Sequence, residues 1–267
     1  MIIGELINTS RKAIRAAVEN LDKEYLQQIA KDQANAGADY IDINCGTQVD
    51  MEVSTVEWLV AIVQEVCDLP LCIDSPSPIT LDAGLEAAKK NGRKQMINSI
   101  SGESARYKEI IPLIKQYDAK VVALCMDDRG VPDTYEDRVE IVESLVAKLH
   151  RDGIKDDDIY LDPLIKPIST NHRFGLDVLN TVRYIREKHP QVHMTCGLSN
   201  VSFGLPNRKY INRYFMIQCM AAGMDSFILN PLDKEIMGAV YVSNALLGND
   251  LYCSNYLKAH RKGYYNE

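Results

Sequence analysis

Carboxylate, amide and hydroxyl side chains follow short apolar runs at eight places along this chain. They are Glu5, Asn8, Asp42, Asn44, Asp74, Ser75, Asn98, Ser99, Asp127, Asp128, Asp162, Ser199, Asn200, Asn230 and Asp233. Any single Asp or Asn of this kind is typical of a helix cap or an Asx turn, because its side chain bonds readily to nearby backbone. A cap need not stand directly after an apolar run, so the recurrence favours a shared binding site.

The chemistry of this set favours a ligand rich in hydrogen-bond donors. It holds many acceptors and several amides, and no Lys or Arg directly follows one of the runs. Phosphates and carboxylates are usually bound by Arg, Lys or a Gly-rich loop, so an anionic ligand is disfavoured. The 2-amino-4-oxo edge of a pterin offers an N–H and an NH₂ side by side, and one carboxylate accepts both.

A tightly bound metal ion is not expected. The five histidines are scattered without HxH or HExxH spacing, and such isolated histidines are more often surface or core residues than ligands. An all-oxygen metal site formed by Asp42, Asp74 and Asp162 is the less favoured alternative.

The polar residues need a scaffold that brings eight chain positions together. The apolar runs cover residues 2–3, 40–43, 71–73, 96–97, 121–126, 159–161, 192–196 and 226–229. Each run is predicted to be a strand, and the short runs at 71 and 96 are placed by the rhythm of the others. Near-continuous apolar strands are typical of a parallel sheet covered on both faces.

The stretches between these runs carry helical spacing. Four valines between positions 53 and 63 share one helix face, and similar apolar faces recur at 107–114 and 139–149. Glycines at positions 37, 153 and 223 are expected to end helices. Eight strand–helix units predict an α/β fold, a single (β/α)8 TIM barrel formed by one domain, residues 1–267. An open doubly wound sheet is the alternative, but the first crossover lacks the GxGxxG pattern.

Composition narrows the functional classes. The chain has 267 residues, 46% of them hydrophobic, and a formal charge of −7. This charge argues against nucleic-acid or anionic-membrane partners. Seven cysteines without a CxxC pair are typical of free thiols in a reducing compartment. No leader-like segment or membrane-length apolar run is present in the sequence, so a cytoplasmic protein is expected.

Motifs along the whole chain resemble one family of enzymes. They are residues 4–8 (GELIN), 42–46 (DINCG), 57–60 (EWLV), 71–75 (LCIDS), 96–99 (MINS), 162–165 (DPLI), 197–202 (GLSNVS) and 211–213 (INR). In this order they resemble the methyltetrahydrofolate:corrinoid methyltransferases of acetogenic and related anaerobes. The same pterin-binding barrel resembles the folate module of cobalamin-dependent methionine synthase and, more distantly, dihydropteroate synthase.

The resemblance implies roles for individual residues. Pterin binding would fall to Asp74, Asn98, Asp162, Gly197, Ser199 and Asn200. The catalytic pair would be Asn200, near the methylated N5 of the folate, and Asp42, in the hydrogen-bond network beneath it. Arg208 and Arg213 would either steady the loop after the seventh strand or remain plain surface charges.

The resemblance also implies a reaction. The N5 methyl group would move between 5-methyltetrahydrofolate and the cobalt of a corrinoid (cobalamin) carried by a transient partner protein. Cobalt supplies the nucleophile, which agrees with the absence of a Ser-His or Cys-His pair. The protein would stabilise the charge that develops at N5. Family analogy favours a homodimer, and the segment 208–213 would lie where the partner docks.

Three other functions are compatible with parts of this pattern. Dihydropteroate synthase would need an anion site, and its Lys-x-Ser-x-Arg signature is missing from the stretch 197–203. A non-catalytic folate-binding protein would carry the same ring of polar residues. A sugar-phosphate aldolase or isomerase should show a Schiff-base lysine or a phosphate-binding loop, and neither is evident.

Overall fold

Strands and helices alternate along the chain in the computed structural model, which describes residues 1–88 and 92–265. The strands are β1 (Ile2–Asn8), β2 (Tyr40–Asn44), β3 (Leu71–Asp74), β4 (Met96–Ser101), β5 (Lys120–Leu124), β6 (Ile159–Asp162), β7 (His193–Met194) and β8 (Phe227–Leu229). Each apolar run named above overlaps one of these strands, so the eight strand predictions are confirmed.

Helices separate the strands throughout the described part of the chain. They are α1 (Lys12–Glu19), α2 (Lys23–Asn35), α3 (Glu52–Gln64), α4 (Pro78–Ala87), α5 (Ser104–Tyr117), α6 (Tyr135–Arg151), α7 (Phe174–Lys188), α8 (Arg208–Ala222), α9 (Lys234–Leu246) and α10 (Ser254–Arg261). The three expected apolar faces lie on α3, α5 and α6. None of these described helices has the length and apolarity that a bilayer crossing requires.

The predicted helix ends at three glycines are confirmed. Gly37, Gly153 and Gly223 follow α2, α6 and α8 by one or two residues, and all have positive φ. Gly223 has φ +115°, and a Cβ there would lie 2.9 Å from the Arg186 side chain. Glycine therefore ends α8 where other residues would be both strained and crowded.

All eight strands belong to one parallel sheet in the order β7-β6-β5-β4-β3-β2-β1-β8. The order is sequential, with β8 beside β1, and lacks the reversal of a doubly wound sheet. Two hydrogen bonds run between the segments of the end strands, β7 and β8. The Ser226 N–H donates to the Met194 carbonyl and the Ile228 N–H donates to the Cys196 carbonyl, both at 3.0 Å. The fold is thus α/β, with a curled, eight-stranded parallel sheet.

The two faces of the sheet have different neighbours. Ile41, Ile43 and similar strand residues pack against the helices in the large apolar core. A second, smaller cluster contains Ile3, Tyr40, Cys72, Met96, Val122 and Tyr160, and it occupies the inner face. Because strand side chains alternate, Asp42 and Asn44 point to the same face as Tyr40. The candidate site is therefore built on the inner face, above an apolar layer.

Candidate functional site

Four polar residues from neighbouring strands form a row across the inner face. Asn44 on β2 is in register with Asn8 on one side and with Asp74 on the other. Asp74 is in turn in register with Asn98 on β4. Since adjacent strands lie about 4.8 Å apart, neighbouring members of this row are close enough to contact one bound ligand together.

Asn44 orients the carboxylate of Asp74. Its Nδ2 donates to Asp74 Oδ2 at 2.8 Å, and its Oδ1 accepts the Gly46 N–H at 3.2 Å. Burial raises the pKa of Asp74 to about 6, against the opposing effects of the Asn44 bond and the positive charge of Arg106. With this pKa, Asp74 is mostly ionised at pH 7, and an ionised carboxylate is able to accept two N–H groups.

A cavity of about 360 Å³ opens beside this row at the carboxyl ends of β3, β4 and β5. It is lined by Asp74, Ser75, Pro76, Asn98, Ser99, Ser101, Glu103, Arg106 and Leu124. The structure thus brings Asp74 and Asn98 into one cavity. A cavity of about 390 Å³ lies elsewhere, between α5 and α6, and its lining includes no residue of the row.

Arg106 is a cavity residue that sequence reasoning missed. Its guanidinium donates to the carbonyls of Ser75 (3.0 Å), Pro76 and Ser99 (2.8 and 3.0 Å). It lies in the first turn of α5 and not directly after a strand, so the search for residues at strand ends passed over it. A search that included the first turn of each following helix would have found it.

Asp162 lies at the end of β6, beside Leu124 of the cavity lining. It is 7% exposed, and its Oδ1 accepts the Leu164 N–H at 2.8 Å. Burial raises its pKa to about 6, although backbone bonds from Leu164 and Gly197 act in the opposite direction. Asp162 is not among the residues that line the cavity, and its bond from Gly197 connects it to the segment after β7.

Asp42 lies beneath the row, in register with Cys72. It is 2% exposed, and its Oδ1 has no hydrogen-bond partner among the described residues. Burial and the nearby charge of Asp74 raise the pKa of Asp42 well above its ordinary range, against the effect of a hydrogen bond from Cys72. Both effects disfavour the ionised form of Asp42 beneath the site.

The segment after β7 forms a short 3-10 turn, Leu198–Ser202, that presents Asn200 to solvent. No described residue hydrogen-bonds the Asn200 side-chain amide, which leaves it available to a ligand. Arg208 steadies this turn, because its Nη2 donates to the Ser199 carbonyl at 2.7 Å and its Nε donates to Ser202 Oγ at 3.0 Å. A Cβ on Gly197 would lie 3.3 Å from Asn200 Nδ2.

Two other charged residues named from the sequence have partners of their own. Arg213 pairs with Glu235 rather than with the 3-10 turn. Asp127 forms a turn with Gly130 and an ion pair with Arg129 at 2.8 Å. Neither residue lines the cavity. Within residues 1–88 and 92–265, no three His, Cys, Asp or Glu side chains converge to hold a metal ion.

The sequence and fold define the class of this protein. Residues 4–230 match the family described as pterin binding enzyme, and the chain belongs to that family. It is 39% identical over 265 residues to the methylcorrinoid:tetrahydrofolate methyltransferase of Eubacterium limosum, covering 98% of this chain and 97% of that protein. It is 32% identical over 244 residues to methionine synthase of Mycobacterium tuberculosis, covering 86% of this chain and 20% of that protein.

Solved structures share the fold at lower identity. The Yersinia pestis DHPS in complex with a pterine-sulfa conjugate superposes with a TM-score of 0.69 at 18% identity, covering 93% of this chain and 94% of that chain. The Xanthomonas albilineans dihydropteroate synthase in complex with 7,8-dihydropteroate superposes with a TM-score of 0.68 at 16% identity, covering 92% of each chain. At these identities the likeness establishes the fold alone.

Proposed function

We propose that this protein is a methyltransferase that moves the N5 methyl group between 5-methyltetrahydrofolate and the cobalt of a corrinoid held by a partner protein. The observation that carries the proposal is the row of Asn44, Asp74 and Asn98 in register on neighbouring strands, in which Asp74 and Asn98 line one cavity. The full-length similarity to a methylcorrinoid:tetrahydrofolate methyltransferase supports the reaction.

In the proposed complex, the pterin edge meets carboxylates and amides of the inner face. Asp74 and Asp162, with pKa values of about 6, would be largely ionised at pH 7 and would accept N–H groups. Asn98 would complete the edge, because no described residue bonds its side-chain amide. Gly197 and Ser199 would lie against the ring, next to the exposed Asn200.

Catalysis in this proposal depends on charge stabilisation at N5. When the methyl group leaves folate, the electron pair of the broken C–N bond stays on N5, where a proton or a strong hydrogen bond stabilises it. Asn200 would accept from the protonated nitrogen through its side-chain oxygen. Asp42 has no direct hydrogen bond to Asn200, so its proton would reach the site through water or the network beneath.

A corrinoid-carrying partner requires a docking surface around the open site. The segments that follow the carboxyl ends of the strands, including the first turn of α4, carry exposed apolar residues. They are named here the apolar rim: Val49, Met51, Ile79, Phe203 and Leu232. Val49 is 79% exposed and Ile79 72% exposed. Apolar residues clustered around a polar site are typical of protein–protein contact surfaces, and the start of α8 at Arg208 lies beside Phe203.

The sheet is proposed to close as a complete (β/α)8 barrel. The bonds from Ser226 to Met194 and from Ile228 to Cys196 support closure between β7 and β8. A single domain over residues 1–267 is proposed with it, since one apolar core contains residues of α1 to α9 and of the sheet. Residues 89–91 and 266–267 lie outside the described range. Six of the seven free cysteines are buried, which supports a reducing, cytoplasmic location.

A homodimer is proposed from the family resemblance. The segment between α9 and α10 offers candidate contacts, because Leu246, Leu251 and Tyr252 are 82%, 75% and 87% exposed. Large apolar side chains at such exposure are common at subunit contacts.

The decisive experiment mixes the protein with 5-methyltetrahydrofolate and reduced free cobalamin and follows the cobalt absorbance in both directions. Asn200→Ala should slow methyl transfer by about 100-fold while folate still binds, because one stabilising contact to the reacting nitrogen is lost. Asn20→Ala, at an exposed asparagine at the end of α1 whose side chain donates to the Ala16 carbonyl, serves as the control. Folate binding without any cobalt methylation would leave only a non-catalytic folate-binding protein.

The same assay separates chemistry from partner docking. Ile79→Glu should leave the reaction with free cobalamin unchanged and weaken turnover with the corrinoid protein by about tenfold, since a charge replaces apolar contact area. An acidic residue in the first turn of α4 is also tolerated by the helix dipole. Gln191→Glu, which adds the same charge at an exposed position before β7, away from the carboxyl ends of the strands, is the charge-matched control.

Dihydropteroate synthase activity is the second candidate. The shared fold favours it, but the solved synthases are only 16–18% identical to this chain. The cation in the cavity, Arg106, is committed to three backbone carbonyls instead of an anion site. Formation of dihydropteroate from a pterin pyrophosphate and 4-aminobenzoate by the purified protein would favour this alternative.

A further inference from the structure

Arg106 is unusual among the residues that line the cavity. It is the cationic member of that lining, and no carboxylate among the described residues forms an ion pair with it. Four of its N–H···O contacts go to backbone carbonyls, two of them to Ser99. An arginine has five N–H donors in a rigid fork, so this guanidinium is held in place almost entirely by the backbone.

The carbonyls that it binds belong to two different strand–helix loops. Ser75 and Pro76 directly follow Asp74 on β3, and Ser99 directly follows Asn98 on β4. One side chain therefore joins the two segments that carry adjacent pterin-binding candidates. Loss of this bridge would let the loops separate, since the chain between them runs through the whole of α4.

The positive charge of Arg106 has a second effect. It opposes the burial and the neighbouring acid Glu52, which both disfavour the ionised form of Asp74. Glu103 and Glu109 also lie near the guanidinium. Arg106 thus acts on Asp74 by geometry through the backbone and by electrostatics through space.

We infer that Arg106 is a positioning residue for pterin binding, which fixes the spacing of Asp74 and Asn98 by bridging their loops and stabilises the Asp74 carboxylate with its charge. The inference rests on the proposed function in one respect, namely that the Asp74 and Asn98 pair binds a pterin. It assigns Arg106 no contact with the reacting atoms.

The test measures the affinity of the full-length protein for 5-methyltetrahydrofolate between pH 5 and 9. Wild-type affinity should fall as the pH decreases through about 6, as Asp74 and Asp162 become protonated. Arg106→Gln should weaken binding roughly tenfold at pH 7 and move the midpoint of the pH profile upward. A loss of loop structure alone would weaken binding without moving that midpoint.

Arg106→Lys separates the two effects, because lysine keeps the charge but lacks the planar fork. Its midpoint should stay near that of wild type while its affinity stays reduced. Arg129→Gln, which removes an exposed arginine paired with acids outside the cavity, is the matched control. It should leave both the affinity and the midpoint unchanged.

Different outcomes reject different claims. If Arg106→Gln binds folate with the same affinity and the same pH midpoint as the wild type, the inference is overturned and the proposed function stays intact. If Arg106→Gln fails to fold, the Arg106→Lys variant decides the matter. An affinity of Arg106→Lys equal to that of the wild type would then overturn the inference. Absence of any folate binding by the wild-type protein would instead reject the proposed function itself.

Discussion

At the scale of single residues, the main feature of the candidate site is a buried carboxylic acid, Asp74, with a raised pKa. Asp74 is held at a pKa of about 6 mainly by burial, although its ordinary value is 3.8. Burying the ionised form at pH 7 therefore costs stability, on the order of 1–3 kcal/mol. In the proposed pterin complex this cost is offset, because a carboxylate presents two accepting oxygens to ligand N–H groups where an amide presents one.

Asp74→Asn should therefore stabilise the ligand-free protein at pH 7 by about 1 kcal/mol or more and abolish pterin binding. Because the folded pKa is raised, stability from the protonated carboxyl is present below pH 3.8 and is lost as the pH rises through about 6. The gain should thus disappear near pH 4. Denaturant unfolding at both pH values measures it, and a variant less stable than wild type at pH 7 contradicts the argument.

Asp128→Asn provides the contrast for this measurement. Bonds from Ser104 lower the pKa of Asp128, so its ionised form is favoured in the folded protein. Removing this charge should not stabilise the protein at pH 7.

The cavity residues were predictable from the sequence only where they directly follow a predicted strand. Asp74 and Asn98 follow apolar runs directly, and both line the cavity. Arg106 lies in the first turn of α5, where a wider search would have found it. Its role was still not predictable, because that role depends on carbonyls from loops that precede it by up to 31 residues. Asp127 follows an apolar run as closely as any, yet its local turn with Gly130 directs it to Arg129.

At the scale of elements, β1 contains a bulge that the hydrophobic pattern of the sequence does not predict. The register of β1 against β2 shifts between Gly4 and Ile7. Gln33 of α2 fills the irregularity, and its Oε1 accepts the Leu6 N–H at 3.0 Å. A strand was predictable from the apolar run, but the bulge depends on a buried side chain 27 residues further along the chain.

Gly4→Ala tests this arrangement. A Cβ at position 4 would lie 2.5 Å from Gln33 Oε1, so the Gln33 side chain must move and leave the buried Leu6 N–H without its partner. The expected loss is about 2 kcal/mol in the free energy of unfolding, measured by denaturant. Gly175→Ala in α7, where the nearest atom is 3.4 Å away, should cost little or stabilise the helix. Equal effects of the two substitutions would contradict this account.

At the scale of the whole molecule, the candidate site and a cluster of stabilising polar contacts lie at opposite ends of the sheet. The carboxyl ends carry the acids and amides of the site, as expected for a parallel β/α fold. At the other end, Asp225 accepts His193 Nδ1 at 2.8 Å, Arg186 Nη2 at 3.0 Å and the Met194 N–H at 3.0 Å. These contacts link β7 and the end of α7 to the segment that directly precedes β8.

His193→Gln should weaken this end of the molecule in a pH-dependent way. The bond to Asp225, with a second contact to Asp157, raises the pKa of His193. Its contribution to stability is therefore fully present below pH 6.5 and is lost as the pH rises through the raised value. The variant should be less stable than wild type by about 1 kcal/mol at pH 6, with the difference shrinking by pH 9, in thermal or denaturant unfolding. His172→Gln, at an exposed position, should show no such difference, and a deficit for His193→Gln that stays constant with pH would mean that only packing was lost.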